Sequence, residues 1–207
     1  MRSWVGLVLM LALVGCNEGS SPKPPAPILS SPWQISYSPN MPSQMGTLGD
    51  GTYYFTFPRQ DGVHYVTRVA VNSILVGQTI TLSFSIEGDG TLVPSPSGSD
   101  PGTPPARVRL FLEQAGDTLT AGEEFKRWWS TDSVELKTGD FDLTVPVQPN
   151  KWSSVFGKTG DLTPGQLENC LKQLGAMGFT FGGMFAGHGV YAADGSPRFI
   201  LRSYTVN

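Results

Sequence analysis

Residues 79–86 read Thr-Ile-Thr-Leu-Ser-Phe-Ser-Ile, an unbroken alternation of polar and apolar side chains. Neighbouring side chains on an extended strand point to opposite faces. Ile80, Leu82, Phe84 and Ile86 therefore share one face, and Thr79, Thr81, Ser83 and Ser85 share the other. A helix would scatter the same residues around its axis, so this run fits a strand with one face in a core. Other stretches repeat the pattern. Tyr53, Phe55 and Phe57 alternate with Tyr54 and Thr56; Val63, Tyr65, Thr67, Val69 and Val71 form a second set; Val108, Leu110 and Leu112 alternate with Arg107, Arg109, Phe111 and Glu113. Phe141, Leu143, Val145 and Val147 follow, and residues 199–206 are strand-like. Several short strands joined by Gly- and Pro-rich connections predict an all-β protein, an antiparallel β-sandwich.

Two segments depart from period two. Residues 94–105 (PSPSGSDPGTPP) contain no large apolar side chain and read as a long mobile loop. Residues 163–174 read as a short helix. Thr163 and Gln166 have capping-box spacing, Pro164 suits the first helical position, and Leu167, Cys170, Leu171 and Leu174 fall on one face, with Gly175 as the stop. The Gly-rich run 178–191 (GFTFGGMFAGHGVY) lacks a Gly-Lys-Ser/Thr ending and opens no helix, which argues against a phosphate loop. Its glycines are expected to let strands bulge or approach closely, with aromatic neighbours packing over the gaps.

The amino-terminal segment sets a different constraint. Arg2 precedes an apolar stretch from Trp4 to Val14, and Leu-Val-Gly-Cys closes it at 13–16. The apolar run is shorter than the roughly 18 residues a spanning helix needs. This segment resembles the signal peptide and lipobox of bacterial lipoproteins. The resemblance implies cleavage before Cys16, acylation (palmitate or a similar chain) at Cys16, and attachment to a membrane of the cell envelope. Asn17, where an Asp would imply retention at the inner membrane, favours the outer membrane by the same resemblance. Residues 17–32 (NEGSSPKPPAPILSSP) cannot bury enough apolar surface to fold and are expected to form a tether a few nanometres long at most, at about 3.1 Å per residue. The expected organisation is therefore signal peptide 1–15, lipidated Cys16 and tether 16–32, and one domain 33–207. Removing Arg2 with the signal moves the formal charge from −3 to about −4. That balance offers no basic footprint for nucleic acid. Charged residues are only 15%, well below the usual quarter, which suits an exported β-rich domain. Cys170 is left as the single thiol of the domain, so no internal disulfide supports the fold, and its place on an apolar helix face predicts a small buried hydrophobe.

The run GAMGFTFGGMFAGHGVYAADGSPRFILRSYTV, with RVRLFLEQ, RWWSTDSVELKTGDFDLTVPV and KWSSVFGK upstream, resembles galactose-binding-like jelly-roll domains, the sandwich of many carbohydrate-binding modules. The likeness spans about residues 50–207 and lies in strand order and aromatic placement, not in a signature motif. It implies a jelly-roll and, as ligand, a carbohydrate or cell-envelope glycan, bound by rings that stack on sugar faces. Trp128 and Trp129 are adjacent, so one is expected in the core and the other facing solvent or ligand. Tyr54 and His64 occupy the non-core parity of their strands. Arg109, Trp128, Trp129, Trp152, Tyr54 and His188 make the candidate ligand patch; alternatively these rings complete the core and its rim.

Catalysis is not expected. The acidic pairs Glu87/Asp89, Glu123/Glu124 and Asp140/Asp142 lack a Glu-x-Asp-x-x-Glu strand spacing, and there is no Gly-x-Ser-x-Gly elbow. Two histidines without paired cysteines do not suggest zinc. No cofactor is expected. A structural calcium, common in jelly-rolls, stays open, because Asp50, Asp61, Asp89 and Asp100 sit in Gly-rich segments. Two other functions stay open beside glycan binding: a structural or protein-interaction module of the envelope, and an enzyme acting on polysaccharide.

Overall fold

The computed structural model describes residues 31–70, 73–96, 102–183 and 187–207. The signal, Cys16 and nearly all of the tether segment lie outside them, as do Val71, Asp100 and Phe185. In chain order the strands are β1 (Gln34–Ser36), β2 (Gly46–Thr47), β3 (Tyr53–Thr56), β4 (Tyr65–Val69), β5 (Thr79–Glu87), β6 (Leu92–Pro94) and β7 (Arg107–Gln114). They continue with β8 (Arg127–Ser130), β9 (Val134–Glu135), β10 (Gly139–Pro146), β11 (Trp152–Ser154), β12 (Leu174–Gly182), β13 (Val190–Ala192) and β14 (Arg198–Val206). Among the described residues there is one α-helix, α1 (Gln166–Lys172), which precedes β12.

These strands build two facing antiparallel sheets. One runs β1-β4-β12-β7-β8-β11, with β9 pairing β7; the other runs β10-β5-β14-β3-β2. A third pair, β13 with β6, closes one end. Successive long strands change sheet repeatedly: β3, β5, β10 and β14 belong to the five-stranded sheet, while β4, β7 and β12 belong to the other. That alternation is the jelly-roll sandwich expected from the sequence.

The five-stranded sheet follows its sequence pattern. Ile80, Leu82, Phe84 and Ile86 of β5 point inward and are buried. They pair in register with Val145, Leu143, Phe141 and Gly139 of β10. On the outer face Thr81 and Thr144 share a hydroxyl hydrogen bond of 3.1 Å. Pairing of β14 with β5 slips by one residue between Leu201 and Ser203. The extra residue, Arg202, turns outward, so that Phe199 and Leu201 before it and Tyr204 after it all face the core. The core is a cluster of rings. Phe199 stacks on Phe55 and Phe84 with centroids 5.3 and 5.0 Å apart, and Phe179 lies 5.3 Å from Phe199. Trp33, 2% exposed, packs on Phe179 and Tyr204.

The seven-stranded sheet buries apolar side chains on both faces. Its inner face carries Val66, Val108, Leu110, Leu112, Trp128, Phe179 and Phe181. Its outer face carries a second buried cluster of Tyr65, Phe111 and Trp129, with Val155 against it. The parity expected for β4 is therefore reversed: Val66 enters the main core, Tyr65 belongs to the outer cluster, and Val69 is 72% exposed. Gly178 of β12 explains how the outer rings meet. It sits in the ladder between Thr67 and Phe111. A Cβ there would collide with the Val66 carbonyl oxygen. Without a side chain at 178, Tyr65 and Phe111 come together across β12, centroids 5.0 Å apart, and Phe111 meets Trp129 at 5.1 Å. The expectation that glycines here permit close approach beneath aromatic neighbours is met.

The helix keeps its predicted buried face, Leu167, Cys170 and Leu171, but not its predicted start or end. The Thr163 hydroxyl donates back to the Thr159 carbonyl instead of capping. Gly165, at φ 79°, begins the helix. Leu174 and Gly175 already belong to β12. Cys170 is fully buried, and burial pushes its thiol up to about 12. A thiol-reactive disulfide reagent at pH 8 should leave native Cys170 unmodified over hours and label it within minutes in denaturant; rapid labelling of the native protein would contradict this placement. The loop expected over 94–105 starts later, since Pro94 ends β6 and the Ser95 amide donates to the Gly189 carbonyl.

Candidate functional site

The six residues expected to form a ligand patch are not brought together. Trp128, Trp129 and Trp152 are each 0% exposed, so none offers a ring face to a ligand. Trp128 fills the main core and its Nε1 donates to the Phe125 carbonyl at 2.8 Å. Trp152 also lies in the main core, with Nε1 donating to the Pro146 carbonyl at 3.1 Å. Trp129 does point to the opposite face from Trp128, as adjacent strand residues must. That face, however, is covered by its own apolar cluster. The expectation that one of the pair faces solvent or ligand is therefore corrected. Arg109 is occupied structurally: its Nη1 donates to the carbonyls of Ser130 and Thr131 at 3.2 and 2.7 Å. Desolvation, with Arg107 nearby, lowers its pKa from the ordinary arginine value. Tyr54 is half-buried, and the Arg198 guanidinium lies 5.5 Å from its ring centroid.

His188 alone of the six lines an open cleft at one end of the sandwich. That cleft encloses about 570 Å³ and is bordered by Gln60, Asp61, His64, Ser95, His188 and Tyr191, with Pro39 and Pro96 at its edges. The β3–β4 connection brings Gln60, Asp61 and His64; the chain after β6 brings Ser95 and Pro96; the connection from β12 through β13 brings His188 and Tyr191. Three backbone contacts hold these connections together. Val63 and Val190 exchange amide hydrogen bonds of 2.8 and 2.9 Å, and the Phe181 amide donates to the His64 carbonyl at 2.9 Å. The imidazoles of His64 and His188 are neighbours, with centroids 5.9 Å apart and planes tilted by 55°, and the His64 ring centroid lies 3.9 Å from that of Tyr65. Asp61, at φ 58°, accepts a 2.6 Å hydrogen bond from Asn40 Nδ2. A second cleft of about 430 Å³ has Asn40, Tyr54 and Phe57 among its walls.

This arrangement provides imidazole, carboxamide, carboxylate, hydroxyl and phenol groups together with ring faces, in a depression open to water. Such a set can bond the hydroxyls of a polar ligand and lie against its less polar faces. Four of the six carboxylates in the acidic pairs considered for catalysis make ion pairs outside this cleft. Glu87 pairs with Arg198 at 2.8 Å, Asp140 with Arg202 at 2.9 Å, Glu123 with Lys126 at 2.5 Å and Glu124 with Lys158 at 3.1 Å. Hydrogen bonds from Lys126 and Thr118 hold Glu123 down to about 2. Among the described residues no three His, Cys, Asp or Glu side chains converge as a metal set. Of the aspartates considered for calcium, Asp50 accepts hydrogen bonds from the Thr52 amide and hydroxyl, and Asp61 from Asn40. His64 was placed on the non-core side of its strand in the sequence but was not joined to His188; Asp61 was considered only for calcium, and nothing local joins it to Gln60 or Tyr191, because only the topology gathers them.

No protein-family model and no curated protein matches the sequence. A solved structure from work on endo-acting O-glycanases, which prominent members of the human gut microbiota express to initiate mucin breakdown, is similar to this chain. It is 11% identical, with 91% of this chain and 95% of that chain covered, and a TM-score of 0.41.

Proposed function

We propose that the protein is a lipid-anchored, non-catalytic binding protein that takes a carbohydrate, such as an envelope glycan, in the cleft bordered by Gln60, Asp61, His64, His188 and Tyr191. The observation that carries this reading is the convergence of two imidazoles 5.9 Å apart with the other polar groups of one open depression. Sugars are bound by such mixed surfaces, where amide, carboxylate and imidazole groups pair with hydroxyls and rings cover the C–H faces. The buried tryptophans have no part in binding; they make the sandwich that holds the connections in place. Attachment at Cys16 in the outer membrane is part of the same proposal and follows from the lipobox resemblance.

The test is a glycan array followed by calorimetric titration of the best ligand. Replacing both His64 and His188 by alanine should weaken binding at least about tenfold, which is 1.4 kcal/mol, with thermal stability nearly unchanged. Unaltered affinity in that variant, or the absence of any millimolar glycan ligand, overturns the reading. Turnover of a glycan by the pure protein would instead favour an enzyme.

A further inference from the structure

We propose that the end of β4 and the residues leading into β5, through Val69, Leu75 and Val76, form a membrane-contacting surface that seats the domain on the bilayer with its cleft pointing away. The proposal rests on the lipid-anchor reading above. Val69, Leu75 and Val76 are 72%, 65% and 45% exposed, and they account for three of the seven large apolar side chains that stand exposed among the described residues. Single exposed apolar residues need no explanation; three gathered where β4 ends and the chain leads into β5 do. The described residues here, Val69, Ala70 and 73–79, carry no charge that would resist entry into the headgroup region.

Where the chain enters the domain identifies the occupant. Gln34 pairs with Thr67 in an antiparallel register, which runs Trp33 and the residues before it toward Arg68 and Val69. The Arg68 guanidinium lies 5.1 Å from the Trp33 ring centroid. Ser31, which accepts a hydrogen bond from the Trp33 amide, is the first described residue, and only the 14 positions 17–30 separate it from Cys16. At about 3.1 Å per residue that segment spans no more than roughly 45 Å. The same end of the sandwich holds the start of β5, where the Gly77 amide donates to the Val147 carbonyl and Thr79 pairs with Asn207. The cleft lies at the other end: His64 directly precedes β4, and Val69 ends it. Nine-residue β5 runs between the two ends, a length of roughly 26 Å at about 3.3 Å per residue. An anchor attached at this end keeps the apolar surface within reach of the lipid, and seating that surface leaves the cleft in open water.

The full acylated chain, purified and reconstituted in phosphatidylethanolamine/phosphatidylglycerol vesicles, tests this. An environment-sensitive fluorophore is attached at Leu75→Cys and, in a separate sample, at Gln60→Cys; buried Cys170 does not compete. The label at 75 should shift to the blue, be quenched by spin-labelled lipid and be shielded from aqueous iodide, whereas the label at 60 should behave oppositely. Equal iodide access at both positions in floated vesicles overturns the orientation while leaving the anchor intact. Shielding at 75 that persists in detergent without a bilayer assigns the surface to another copy of the chain and overturns the membrane assignment. Failure to float, with Cys16 unacylated by mass, overturns the anchor reading and the inference with it.

Discussion

Replacing Trp128 by alanine is expected to cost about 3–5 kcal/mol of folding stability. The side chain is fully buried, packs beside Phe125 and donates its Nε1 to the Phe125 carbonyl. Truncation removes the largest type of side chain from the inner face of β8 and leaves a cavity the surrounding strands cannot close. Urea unfolding followed by circular dichroism reads this directly, with ligand affinity measured separately on the fraction that remains folded. A variant that loses ligand affinity at full stability would restore Trp128 to the binding surface and contradict its place in the core. The distinction matters because loss of binding alone in a tryptophan variant would look the same for a contact residue and for an unfolded protein.

Asp117→Ala is expected to be comparably costly, about 3–5 kcal/mol, because it strips the partner from a buried guanidinium. Asp117 Oδ2 lies 2.9 Å from Arg127 Nε, with side-chain exposures of 0% and 6%. Arg127 Nη2 also donates to the Thr120 carbonyl at 2.6 Å, so the guanidinium ties the β7–β8 connection over the outer aromatic cluster. Burial pushes the Asp117 carboxyl upward in pKa while Arg127 opposes it. Replacing both partners with apolar residues should recover most of the loss, since no charge is then left uncompensated. The same urea assay decides: a double variant as unstable as Asp117→Ala would show that the pair holds the strap by its shape and not by compensation of charge.

How far the sequence displayed this architecture depended on how many faces of each sheet are apolar. In the five-stranded sheet one face is polar. Thr79, Thr81 and Ser83 lie outside and Ile80, Leu82 and Phe84 inside, so alternation assigned both strand and facing. In the seven-stranded sheet Tyr65, Phe111 and Trp129 put buried rings on the second face too, and parity no longer distinguished inside from outside. That is why β4 was read in the opposite sense and why one of two adjacent tryptophans was expected to be free. The bulge at Arg202 is invisible to a period of two, although the apolar residues on either side of it are plain. The apolar face of α1 was legible from its spacing, but its start was not. Thr163 has a nearer acceptor in Thr159, and Gly165 supplies the left-handed residue from which the helix begins. The cleft was the least legible feature. Its residues come from three stretches around positions 60–64, 95–96 and 188–191, and only the pairing of Val63 with Val190 makes them neighbours. His188 was singled out in the sequence for another patch, and its partner there is an imidazole rather than the tryptophans.

The chain has two histidines, and both border the cleft, so their imidazole resonances report on it without further assignment. Titrating the isotope-labelled protein with oligosaccharide ligands from the array, at constant pH, is the most direct measurement of the central claim. The account predicts that the His64 and His188 signals shift together and saturate at one dissociation constant, while the indole signals of Trp128, Trp129 and Trp152 stay in place. Saturable shifts of those indoles with both imidazoles unmoved, or no imidazole shift at millimolar ligand, would contradict it.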